Sequence, residues 1–122
     1  MGKVPPFAVY LYVQDGEEAV FLWLNSVLDK LEEDYRSDDS SVYYGLRAGV
    51  REWVTIKTGF DDGFTEVGFS NASGLWPGTA QFARDACRQL GRIVRWSPDE
   101  PHAQGDYMEL DHEGERLIDW SN

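Results

Sequence analysis

The chain is poor in cysteine, in histidine and in positive charge, and each shortage closes off a class of function. A single cysteine in 122 residues, Cys87, rules out an internal disulfide and points to a reducing compartment, with the cytoplasm as the default, or to indifference to redox state. His102 and His112, the only histidines, fall in expected loops away from Cys87, so a Cys–His nucleophile would need the fold to bring them together. Cys87 is expected to be a small core residue. Eleven lysines and arginines stand against 22 acids, a net charge of -11. Such a chain repels nucleic acid and anionic membrane surfaces and favours a cationic partner. No window approaches the ~20 apolar residues of a membrane span. The first sixteen residues lack the apolar core of a signal peptide, and Pro6 stands where a myristoylation motif needs Ser or Thr. Neither GxGxxG nor GxxxxGK[ST] occurs, and Ser70 and Ser73 lack the spacing of a nucleophile elbow. Asp61, Asp62 and Glu66 span a turn without the alternating oxygen ligands of a calcium loop. No catalytic residue, metal or cofactor is expected.

What is present is a packable chain. An apolar share of 42% with seventeen aromatics excludes disorder and suits one domain over residues 1–122. Residues 7–13 alternate with apolar side chains on both faces, which predicts a central strand. Residues 15–36 follow helical spacing: Val20, Phe21, Trp23, Leu24, Val27, Leu28, Leu31 and Tyr35 share an arc of about 160°. Asp15 is expected to cap this helix, with Glu18 completing a capping box. Glu32, Glu33 and Asp34 then fall in its last turns, where the helix dipole favours cations. Strands are expected over 41–48 and 52–60, joined through Gly49, and over 64–69. On the first two, Val42, Tyr44 and Leu46 share a face, and Tyr43 and Trp53 point away from Val54 and Ile56. A second helix spans 79–90 with Gly91 as its left-handed stop. Strands over 92–96, 107–110 and 115–120 follow, the last two closing on Gly114. The expected class is α+β, a mainly antiparallel sheet packed by two helices, in the order β-α-β-β-β-α-β-β-β.

The negative charge is blocked rather than spread. Residues 29–39 hold six acids against Lys30 and Arg36, a net of -4, and residues 97–122 hold eight against Arg116, a net of -7, while residues 61–96 are neutral. Tyr and Trp are the usual anchors of protein interfaces. Leu75-Trp76, in a Gly/Pro loop, is either a plug over the sheet end or an exposed anchor, with Tyr43, Trp53 and Tyr107 as weaker candidates for the same role.

In size, acidity and element order the chain resembles the immunity proteins of bacterial polymorphic-toxin and contact-dependent-inhibition systems. That resemblance implies a protein, not an enzyme, that binds a cognate toxin with a basic surface and covers its active site, as monomer or homodimer. Asp29, Glu32, Glu33, Asp38, Asp39, Asp99, Glu100, Asp106, Asp111 and Glu113 would then steer encounter, and Trp76, Tyr43 and Tyr107 would slow dissociation. Two rivals stand beside it. One is an acidic secretion chaperone, although this chain ends in a hairpin where such chaperones have a helix. The other is an enzyme or small-ligand binder whose site is assembled from scattered residues, with Arg84 and Arg88 as an anion clamp near Arg95 and His102.

Overall fold

The computed structural model describes residues 9–98 and 105–120. The elements are β1 (Val9–Val13), α1 (Glu17–Val27), β2 (Glu32–Arg36), β3 (Ser40–Arg47), β4 (Val50–Lys57), β5 (Thr65–Phe69), α2 (Thr79–Leu90), β6 (Val94–Trp96), β7 (Asp106–Asp111) and β8 (Gly114–Asp119). All eight strands join one antiparallel sheet in the order β2-β3-β4-β5-β1-β6-β7-β8. The expected α+β class is what forms, with one strand more than the sequence pattern predicts. Among the described residues no helix is long and apolar enough to cross a membrane.

β1 is central, with one face fully buried and the other partly covered. Val9, Leu11 and Val13 are buried under the helices, and Tyr12 packs among rings on the opposite face. Both helices lie on one side: Phe82 of α2 stacks on Trp23 of α1 at 5.6 Å, and Phe69 of β5 meets Phe82 at 5.9 Å beneath them. α2 runs over the predicted span and stops at Gly91, whose φ of 64° is the left-handed conformation glycine adopts without strain. The β3–β4 hairpin turns on Ala48 and Gly49, both at positive φ, the twist-matched two-residue turn.

The largest departure from the sequence pattern lies between Leu28 and Arg36. The helix ends at Val27, Leu28 turns extended, and residues 32–36 form β2 on the sheet edge. A longer helix would hold three carboxylates at its negative end, whereas a strand pairs their backbone with β3. Gly45 makes room for the crossing, since a Cβ there would stand 2.3 Å from the Lys30 carbonyl oxygen. Leu28 and Leu31 are buried in the strand-bearing fold as they would be in a helix, which is why apolar spacing alone misassigns them. The start of α1 also differs: Gly16 is the cap, no side chain closes a capping box, and Asp15 Oδ1 accepts the Gly16 N–H at 2.8 Å.

β3 faces the opposite way from expectation. Tyr43 pairs with Val54 and shares its buried face along with Ser41 and Gly45, whereas Tyr44 lies beside Trp53 on the helix-free face. The loop after β5 is held by a buried carboxylate. Glu52 is fully buried and accepts hydrogen bonds from the Ser70 hydroxyl at 2.5 Å, the Ala72 and Ser73 N–H groups at 2.8 Å each, and the Ser73 hydroxyl. Asn71 clamps both backbone groups of Trp76, at 2.7 Å and 3.1 Å. Trp76 is thereby the core plug and not an exposed anchor, its ring 4.4 Å from Phe82 and 4.9 Å from Phe69.

Candidate functional site

The two acidic blocks end on opposite margins of the sheet. β2 is one edge and β8 the other, seven interstrand steps apart, or roughly 34 Å measured along the sheet at about 4.8 Å per step. At the usual screening length of about 8 Å they act as separate fields.

At the β8 margin three of the six described acids are paired with arginines. Glu109 takes the Arg95 Nε and Nη2 at 2.8 Å each and Arg116 Nη1 at 2.7 Å, Asp111 takes Arg116 Nη2 at 2.8 Å, and Glu115 takes Arg84 Nε at 2.7 Å. The hydrogen bond from Arg116 holds the Asp111 carboxyl below the usual carboxylate range, helped by the Glu113 N–H, and the same pairing raises the Arg116 guanidinium. Asp106 lies opposite Asp119 in the hairpin, and both are engaged in further interactions. Glu113 is exposed at the tip. Tyr107 is half-buried, packed edge-on against Trp120 at 5.2 Å and Tyr12 at 5.9 Å, so its ring is committed to the fold. In this cluster burial, then the Glu66 carboxylate that its hydroxyl bonds, push the Tyr12 phenol well above its ordinary range. Asp99 and Glu100 lie outside the described residues.

At the β2 margin the charge stays open. Asp29, Asp34, Asp38 and Asp39 are exposed, and their carboxylates make no ion pair among the described residues. Glu32 meets only Lys30, at 3.6 Å, with both side chains largely in solvent. Tyr35 is 59% exposed in the middle of this surface.

Behind the edge, β2 and α1 enclose a cleft of about 400 Å³ lined by Glu17, Glu18, Phe21, Leu31, Glu33, Arg36 and Tyr43. A bulge between Glu33 and Tyr35 builds it. Three residues apart on a regular strand, Glu33 and Arg36 would face opposite ways; the extra residue sets them opposite Tyr43 and Ser41, on the helix side. Arg36 then donates from Nε to Glu33 at 2.8 Å and from Nη2 to the Tyr43 hydroxyl at 2.8 Å, and its Nη1 lies 3.1 Å from Glu17. The hydrogen bond to Glu33 raises the Arg36 guanidinium above its ordinary value. Tyr43 is thus a buried wall of the cleft with its hydroxyl facing in, which corrects its expected role as a surface anchor. Of the residues expected to meet a partner, the fold brings Asp29, Glu32, Glu33, Asp38 and Asp39 to one margin. Glu17, Glu18, Phe21, Leu31 and Arg36 carry no sequence signal for a shared cleft and come together only when β2 returns beside the helix. Glu17 and Glu18 in a first helical turn are favoured by the dipole.

The rival chemistries find less support. Cys87, Asp111 and His112 do line a common hollow of about 260 Å³ with Arg88 and Arg92. Burial and the Asp111 carboxylate push the thiol up, the reverse of an activated nucleophile. Arg84 and Arg88 line one hollow with Trp76, Gln81 and Asp85, but each is already taken by a carboxylate, Glu115 and Asp85. Among the described residues no group of three or more His, Cys, Asp or Glu is arranged to hold a metal. Compared with protein-family models, curated proteins and solved structures, the chain has no match.

Proposed function

We propose that this protein is an immunity-type inhibitor that binds a cognate bacterial toxin domain with a basic surface and covers its active site, using the β2 margin as its contact face. The observation that carries this is the contrast in pairing. Exposed carboxylates at residues 29, 34, 38 and 39 are left without counter-ions among the described residues, beside an exposed Tyr35, while at the other margin arginines pair with Glu109, Asp111 and Glu115. Open negative charge accelerates encounter with a cationic cleft, and an exposed aromatic supplies rigid area once contact is made.

The test begins with the gene adjacent to this one, which this reading expects to encode a protein ending in a toxin domain. Co-expression is expected to restore growth of cells producing that domain, and the association rate of the purified pair is expected to fall steeply between low and physiological salt. A tight complex whose association ignores ionic strength would remove steering from the mechanism, and absence of any complex would remove the inhibitor reading.

A further inference from the structure

We propose that the cleft between α1 and β2 is a receptor for one arginine side chain of the partner, and that Arg36 is an internal stand-in displaced when the partner docks. This rests on the β2 margin being the contact face, and it goes further by naming the group that enters. A volume of about 400 Å³ lies in the lower part of the range typical of small-molecule sites, about 300–1,000 Å³, and has room for one long side chain. Phe21, Leu31 and Tyr43 supply apolar surface suited to the methylene stem of a long cation. Three carboxylates, Glu17, Glu18 and Glu33, face a single guanidinium, which leaves the cleft at a net of -2. Glu18 has no ion pair among the described residues. The charge complementarity calls for another cation.

The way Arg36 is held specifies which cation. Its three nitrogens meet Glu33, Glu17 and the Tyr43 hydroxyl in three directions, a planar fork that an ammonium point charge does not reproduce. Yet Arg36 is about half exposed, and exposed pairs of this kind hold weakly. A guanidinium arriving from a partner, with its stem on the apolar floor, makes the same contacts plus one to Glu18. Arg36 leaves to solvent from the edge strand without breaking the core. The cleft is therefore selective and partly self-occupied, which sets a threshold against stray cations.

The full chain is titrated with the peptide acetyl-Gly-Arg-Gly-amide and with its lysine counterpart, followed by amide resonances. Arginine peptide is expected to shift Phe21, Leu31 and Glu18 and to bind more tightly than lysine peptide. Arg36→Gln is expected to tighten arginine-peptide binding about fivefold, and Glu18→Gln to weaken it about threefold, as exposed charge contacts of modest strength would. If Arg36→Gln does not fold, Arg36→Lys decides: it keeps charge, loses the fork, and is expected to tighten binding by a smaller factor. Unchanged or weaker binding in the Arg36 variants, or shifts confined to Asp38 and Asp39, overturns the receptor. Neither result touches the proposed contact face, which fails separately if reversing its open charges leaves partner association intact.

Discussion

At the β8 margin Arg116 reaches both Glu109 and Asp111 while Arg84 reaches across from α2 to Glu115; at the β2 margin Asp34, Asp38 and Asp39 point into solvent with no cation in ion-pair range among the described residues. The block with the larger formal charge thus has more of its described carboxylates paired, Glu109, Asp111 and Glu115 against Glu32 and Glu33 in the other block. Its counter-ions come from α2, β6 and β8, so a window of sequence counts the acids and misses Arg84 and Arg95. What a partner senses is unpaired charge at a surface. By that measure the smaller block is the one equipped for long-range attraction.

The sharpest way to break this comparison is to reverse charge at each margin. Acids on an edge strand also prevent sheet-to-sheet aggregation, and lysine serves that purpose as well as glutamate. Glu32→Lys with Asp34→Lys and Asp38→Lys is therefore expected to leave the protein soluble and folded while slowing association with a basic partner on the order of 100-fold at low salt. Glu113→Lys at the other margin is expected to change the rate by less than about threefold, the ordinary effect of one rim charge. Stopped-flow or surface-binding kinetics at two salt concentrations distinguishes the two. Equal slowing per reversed charge, about fivefold for Glu113→Lys alone, would show that total charge, and not its placement, governs encounter.

The same contrast has a stability side. Glu109 is mostly buried, its side chain 13% exposed, between Arg95 and Arg116, and Arg95 packs against the Phe64 and Trp120 rings at 4.4 Å and 4.7 Å. Its Nη1 already has no hydrogen-bond partner among the described residues. Glu109→Gln removes the counter-charge of a buried cation and is expected to cost about 2–3 kcal/mol, or roughly 8–12 °C in Tm for a chain of this size. Glu32→Gln, on the exposed edge, is expected to shift Tm by less than about 2 °C. Thermal unfolding by circular dichroism at constant salt measures both.

How much of this was legible before folding depends on the range of the signal. The turn at Ala48-Gly49, the stop at Gly91 and the Asp111–Gly114 hairpin follow from residues adjacent in sequence, and α2 from a clean apolar face. Residues 28–36 failed because Leu28, Leu31 and Tyr35 fit a helical arc while tertiary pairing with β3 decided otherwise. The counter-signal was Glu32-Glu33-Asp34 at a helix end that disfavours them. Tyr43 was set on the wrong face because Val42, Tyr44 and Leu46 are the more apolar set; the core side carries Ser41 and Gly45 instead, where Lys30 and Glu17 need space and a donor. Glu52 left no trace, since a glutamate among alternating strand residues reads as solvent-facing until the Ser70–Ser73 loop folds over it. The cleft was invisible for the same reason: its two walls meet only through β2.

The smallest expected effect concerns acid. Arg116 and the Glu113 N–H hold the Asp111 carboxyl below its ordinary range, so its folded pKa lies under its unfolded one. The stability this pairing adds is fully present above the unfolded value, near pH 4, and is lost as the pH falls through the folded value below it. Asp111→Asn removes that contribution at neutral pH and has none left to lose in acid. The difference in stability between wild type and Asp111→Asn is therefore expected to be constant from about pH 7 to about pH 5 and to shrink toward zero as the pH drops toward about 2, measured by denaturant unfolding at fixed ionic strength. Subtraction cancels the many other carboxylates that titrate in the same range. A difference that stays flat through acid would mean the Asp111–Arg116 pair is equally formed in the unfolded hairpin, and the quieting of the β8 margin would then be a property of the local sequence rather than of the sheet.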